Sequence, residues 1–132
     1  MGMLVKRLIP GDDVKAQIEE LVVETRLRAG VLISIVGSLK ATKIRLADCG
    51  ETLSIDRPVE IVSGTGTVSQ SGMHIHIAVA DGEGKTSGGH LLHGCIVHTT
   101  VELVIQDISG EWSFDREHCS LSGYKELVAE QN

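Results

Sequence analysis

Val14, Ile18, Leu21 and Val22 recur at i, i+4, i+7 and i+8, with Asp13, Lys15, Glu19 and Glu20 around them, which is the stripe of an amphipathic helix. Asp12 or Asp13 stands at the N-cap position, just after the Pro10-Gly11 turn that closes a first strand over residues 3–9. Arg26 and Arg28 suit the negative end of this helix, and Gly30 suits its C′ position. After Gly30 the pattern changes to period 2 and to β-branched runs. Residues 31–36 read as a strand buried on both faces, ending at Gly37-Ser38. Residues 42–48 alternate, with Ile44 and Leu46 inward and Lys43 and Arg45 outward; residues 49–57 read as a loop or short strand. A further strand over 59–68 contains glycines that suggest a bulge or bend. The turn 69–72 leads into a strand over 73–80, followed by a glycine-rich loop over 81–89 and the longest β-branched run at 96–107. In the tail, Trp112, Phe114, Leu121, Tyr124 and Leu127 are spaced loosely, which supports only a short strand or turn. One helix and then a run of strands predicts α+β: a mainly antiparallel twisted sheet of about six to eight strands flanked by one or two helices.

The candidate chemistry lies between residues 72 and 94, where four of the six histidines fall among many glycines. On an alternating strand, His74 and His76 share one face while Ile75, Ile77 and Val79 take the other. His90 returns directly after Gly88-Gly89, where the backbone can approach closely or adopt positive φ. Three neutral imidazoles with a fourth position open form a zinc ligand set; the plain alternative is three wetted histidines on a strand face and a loop. His93 and His98 are near enough in sequence to act as a fourth ligand, as a partner of a ligand, or as exposed bystanders. Glu60 is a candidate general base only if its strand turns it toward the imidazoles. Gly64-Thr65-Gly66 lacks the remaining glycine and following helix of a nucleotide loop. Asp81-Gly82-Glu83-Gly84 lacks the acid spacing of a calcium loop and reads as a tight turn.

Composition narrows the class. With 132 residues the chain reads as one domain, 1–132, and with three aromatic residues in all its core must be Val, Ile, Leu and Ala. A formal charge of −6 argues against a protein that grips nucleic acid through its overall field. Cys49, Cys95 and Cys119 are odd in number and far apart, which reads as reduced thiols in a cytoplasmic protein. No apolar run is long enough for a signal peptide or a membrane span.

A family pattern runs through these features. Residues 59–63, His74-x-His76, Asp81-x-x-Gly84, Gly88-Gly89-His90-Leu91, Gly94-Cys95 and the Thr-rich strand 99–105 follow one another in an order that resembles the PPC family, the domain shared by plants and prokaryotes. The likeness reaches upstream to Leu8-x-Pro10-Gly11-Asp12 and Gly30-Val31, and downstream to Gly123-Tyr124. It implies a compact antiparallel sheet, a homotrimer, and a stand-alone prokaryotic representative without an appended module. Plant members carry AT-hook segments and associate with DNA; this chain has no Arg-Gly-Arg-Pro hook, so nucleic acid is a disfavoured partner. The fold of the family is also similar to that of acetolactate decarboxylase, whose zinc is held by an H-x-H pair and a later histidine. That likeness maps His74, His76 and His90 onto the metal ligands and implies zinc beside a small-molecule pocket. It supplies no counterpart for the enzyme's catalytic Glu and Arg, so whether the chain is an enzyme stays open.

Overall fold

The structure, a computed structural model, describes residues 2–48 and 50–132. In chain order the elements are β1 (Gly2–Leu8), α1 (Val14–Thr25), β2 (Gly30–Arg45), β3 (Thr52–Ile55), β4 (Val59–Ser69), β5 (Gly72–Ala80), β6 (Thr86–Leu91), β7 (Ile96–Asp107), β8 (Trp112–His118) and β9 (Lys125–Gln131). The α+β class and the antiparallel sheet are as expected. The reading of Cys49 as a reduced thiol lies outside the described residues.

Asp13 caps α1: its Oδ1 accepts from the Ala16 amide at 3.0 Å, and its Oδ2 accepts from the Gly94 amide at 2.7 Å. One carboxylate thereby starts the helix and ties it to the chain leaving β6. Val14, Ile18 and Val22 are the buried stripe. The helix stops four residues before Gly30, at Arg26, whose backbone is left-handed with φ 53°. Gly30 instead opens β2 and is there for space, since a Cβ would lie 2.7 Å from the Leu27 side chain.

β2 runs unbroken for 16 residues through Gly37 and Ser38, where an end was expected. Gly37 is a point of close approach, not a stop: a Cβ there would meet the Thr100 carbonyl of β7 at 2.0 Å. Nor is the 31–36 segment buried on both faces. Leu32 and Ile35 enter the core, whereas Ile33 and Val36 are each 49% exposed, because the core covers one side of the sheet only.

All the pairings are antiparallel, in the order β1-β7-β2-β4-β5-β6, with β3 paired to β2. β6 also pairs with the far end of β2, through Ile44 with Leu91 and Arg45 with His90. The strands β2, β4, β5 and β6 therefore close on themselves. Leu39, Ile44, Ile75, Val79, Leu91 and Leu103 form a core continuous with the buried stripe of α1. A bulge does interrupt β4, but between Ile61 and Ser63 and not at its glycines. The tail is a full hairpin, β8 with β9, in register from Trp112 with Gln131 to His118 with Lys125. Among the described residues, no helix is long and apolar enough to cross a membrane.

Candidate metal centre

The alternation of β5 does what it predicts. Ile75, Ile77 and Val79 are buried, and His74 and His76 project from the opposite, exposed face. β6 delivers the third imidazole by strand pairing. His90 is registered against His76 on one side and against Arg45 on the other, while His76 faces Thr65. Thr65, His76, His90 and Arg45 thus form one rung across four strands.

The two glycines before His90 work by close approach. A Cβ at Gly89 would lie 2.5 Å from the Arg45 carbonyl, and one at Gly88 would lie 3.0 Å from that of Ile77. Neither glycine has positive φ, and β6 already begins at Thr86, so the expected hinge at the end of a loop is instead a tightly paired strand.

The ring centroids of His74 and His76 are 4.8 Å apart, those of His74 and His90 5.3 Å, and those of His76 and His90 5.9 Å. The Nε2 atoms of His74 and His76 are 3.1 Å apart, and one nitrogen from each of the three rings lies within 4.8 Å of the others. Tetrahedral zinc with Zn–N bonds near 2.1 Å separates its ligand nitrogens by about 3.4 Å, so small ring rotations suffice to accommodate it. Burial, then the charge of Arg45, pushes the His90 pKa down to about 4; burial, then His76 and Arg116, lowers that of His74. Both rings are neutral at pH 7, the state in which imidazole ligates a metal. The Nδ1 of His90 is buried without a hydrogen-bond partner among the described residues, and coordination at that nitrogen would offset the cost. The residues present fit a zinc ion.

Three clefts meet at the imidazoles, the smallest, of about 290 Å³, lined by His74, His76 and Arg116 among others; the two larger ones share His90 and Arg45. One, of about 680 Å³, is lined by His76, His90, Arg45 and Tyr124 among others; the second, of about 440 Å³, by His74, His90, Arg45, Arg116, Lys125 and Glu126. The β8–β9 hairpin borders the 440 Å³ cleft through Arg116, Lys125 and Glu126, and Tyr124 of its turn lines both the 680 and the 440 Å³ clefts. The hairpin is anchored by the Phe114 amide donating to the Arg28 carbonyl at 3.0 Å, by Ser71 Oγ donating to Asp115 at 2.8 Å, and by Arg116 Nη2 donating to Thr67 Oγ1 at 2.9 Å.

The remaining sequence candidates lie elsewhere. His93 pairs with Glu19 on α1, and His98 is exposed on β7. Glu60 is registered with Ala80, four residues along β5 from His76, which is about 13 Å at strand spacing. The 81–84 segment is a tight turn, with Asp81 Oδ1 accepting from the Glu83 and Lys85 amides at 2.9 and 3.0 Å. Arg45 and Arg116 were not anticipated as site residues. The outward parity of Arg45 was a usable signal, whereas the weakly patterned tail gave none for Arg116.

A closed antiparallel sheet with three convergent imidazoles on its exposed face defines a small α+β protein with a candidate metal centre. The chain belongs to the Plants and Prokaryotes Conserved (PCC) domain family, whose pattern matches residues 1–109. It is 42% identical over 125 residues to the bifunctional protein GlmU of Synechococcus sp. (strain JA-3-3Ab), a match that covers 95% of this chain. The chain spans about a fifth of the length of the curated relatives it matches. Its structure superposes on that of a Salmonella cholerae-suis protein with TM-score 0.95 at 37% identity, covering 98% of this chain and 94% of that one. A metal-containing protein of Archaeoglobus fulgidus matches with TM-score 0.81 at 26% identity, covering 97% and 94%. Other structures, at 19% and 21% identity, are named as candidate DNA-binding proteins, and at that distance the likeness shows the fold alone.

Proposed function

We propose that this chain is a metal-binding PCC domain that holds zinc through His74, His76 and His90 and presents the open coordination position to a small molecule. The observation that carries this reading is the convergence of three nitrogens within 4.8 Å from two adjacent strands. The metal content of the Archaeoglobus relative supports it. Zinc in such a setting polarises a carbonyl or lowers the pKa of bound water. The chain's own part is to orient the imidazoles through the β5–β6 pairing and to keep those of His74 and His90 neutral. Glu60 is too far along its strand to take a proton at this centre within one chain. We also propose a homotrimer, supported by apolar side chains on the uncovered face of the sheet. Binding to DNA is the weaker reading, because the net charge of −6 repels a phosphate backbone.

Metal analysis tests the centre. Untagged protein purified after zinc supplementation should hold about one equivalent per chain, and less than about a tenth of an equivalent rules the site out. The triple variant H74A/H76A/H90A should lose the metal while keeping the native circular dichroism spectrum.

A further inference from the structure

Two guanidinium groups flank the imidazoles, and among the described residues neither is paired with a carboxylate. Arg45 ends β2, opposite His90 in register, and among the described residues makes no side-chain hydrogen bond or ion pair. Arg116 reaches in from β8 and spends one amino group on Thr67 Oγ1, and among the described residues the rest of its fork is unengaged. Both line the 440 Å³ cleft, where Lys125 adds a third cation against the single acid Glu126. Acids outnumber bases 18 to 12 along the chain, so this cluster runs against the overall balance. A zinc dication would add to the same sign. Unpaired positive charge of this density, in a cleft of the size that small ligands occupy, is complementary to an anion.

We propose that the cleft binds a small organic oxyanion, with its charged group held between Arg45 and Arg116 and a second oxygen directed to the open position of the metal. The inference deepens the metal-site reading and rests on it. Guanidinium forks match the planar pair of oxygens of a carboxylate and also the oxygens of a phosphate ester. Tyr124 lines both of the larger clefts and adds a phenol, a hydrogen-bond donor of the kind such a ligand accepts from. A polymer is a poor fit, because the site is bordered by the hairpin and the rest of the molecule carries excess negative charge.

The test uses the full chain loaded with cobalt(II), whose visible absorption reports its coordination. Lactate is added in one arm and inorganic phosphate in the other. A saturable spectral change with either anion, weakened about tenfold or more in both R45Q and R116Q at unchanged cobalt content, supports the proposal. The stronger arm tells carboxylate from phosphate. No response to either anion, or responses that the two variants leave unchanged, overturns it. If cobalt does not bind, the metal reading fails by itself, and the oxyanion site is then judged by NMR on the metal-free chain. Titration shifts of the Arg45 and Arg116 Nε–H resonances with lactate or phosphate support it, and their absence overturns it.

Discussion

Among the described residues, two buried side-chain polar atoms lack a hydrogen-bond partner, and their settings give them opposite meanings. The Nδ1 of His90 belongs to a ring facing the clefts, where a ligand can compensate its cost. The hydroxyl of Thr42 has no such prospect: the residue is 0% exposed, on β2 between the pairings with β3 and the core. Burying a hydroxyl without a partner costs about 1–3 kcal/mol, and valine has nearly the same shape and a higher strand preference. Thr42→Val is therefore expected to stabilise the protein by about 1 kcal/mol, raising Tm by a few degrees. Urea denaturation checks the sign; a lower midpoint in the valine variant would mean that the hydroxyl is satisfied in solution. Zinc content should not change, because Thr42 points into the core and the imidazoles point away from it.

At the scale of elements, the site depends on how closely β6 lies against β2. A methyl group at Gly89 would come within 2.5 Å of the Arg45 carbonyl, an atom fixed in the sheet, so β6 would have to move and carry His90 with it. Gly89→Ala should cost about 2–3 kcal/mol and weaken zinc at least about tenfold, while Gly88→Ala, with 3.0 Å available, should do less to both. Denaturation and chelator competition measure the two effects, and equal effects from the two variants would refute the role of this contact. The same elements show what the sequence could reveal. β5 was legible because alternation fixes which side chains share a face, and His74-x-His76 needed nothing more. His90 was legible as a residue but not in how it is placed, since glycines before a histidine fit a hinge as well as a tight strand pair. Gly37 misled for a related reason: close contact with β7 and a strand end both call for glycine, and only the fold distinguishes them. The β8–β9 hairpin escaped because its pairs are largely polar, with Leu121 and Tyr124 exposed near its turn, so no apolar period marked it. Arg116 was hidden along with it.

On the scale of the whole molecule, the unexplained surface is apolar. Val5, Ile33, Val36 and Val62 point away from the core and are 75%, 49%, 49% and 54% exposed, on strands β1, β2 and β4 of one sheet. Exposed apolar side chains of this kind on one sheet are the chemistry of a docking surface. If copies of this chain cover it, the native mass is that of three 14.1-kDa chains, about 42 kDa, and closed threefold symmetry leaves no face to propagate. The double variant I33D/V62D places charges in that contact without touching the core, and should sediment near the mass of one chain. All three imidazoles come from β5 and β6 of the same chain, so the dissociated variant is expected to keep its zinc. Analytical ultracentrifugation with parallel metal analysis decides the matter. A wild-type protein that sediments as a monomer removes the trimer. A variant that loses zinc as it dissociates would show that a neighbouring copy completes the centre, which the geometry within one chain argues against.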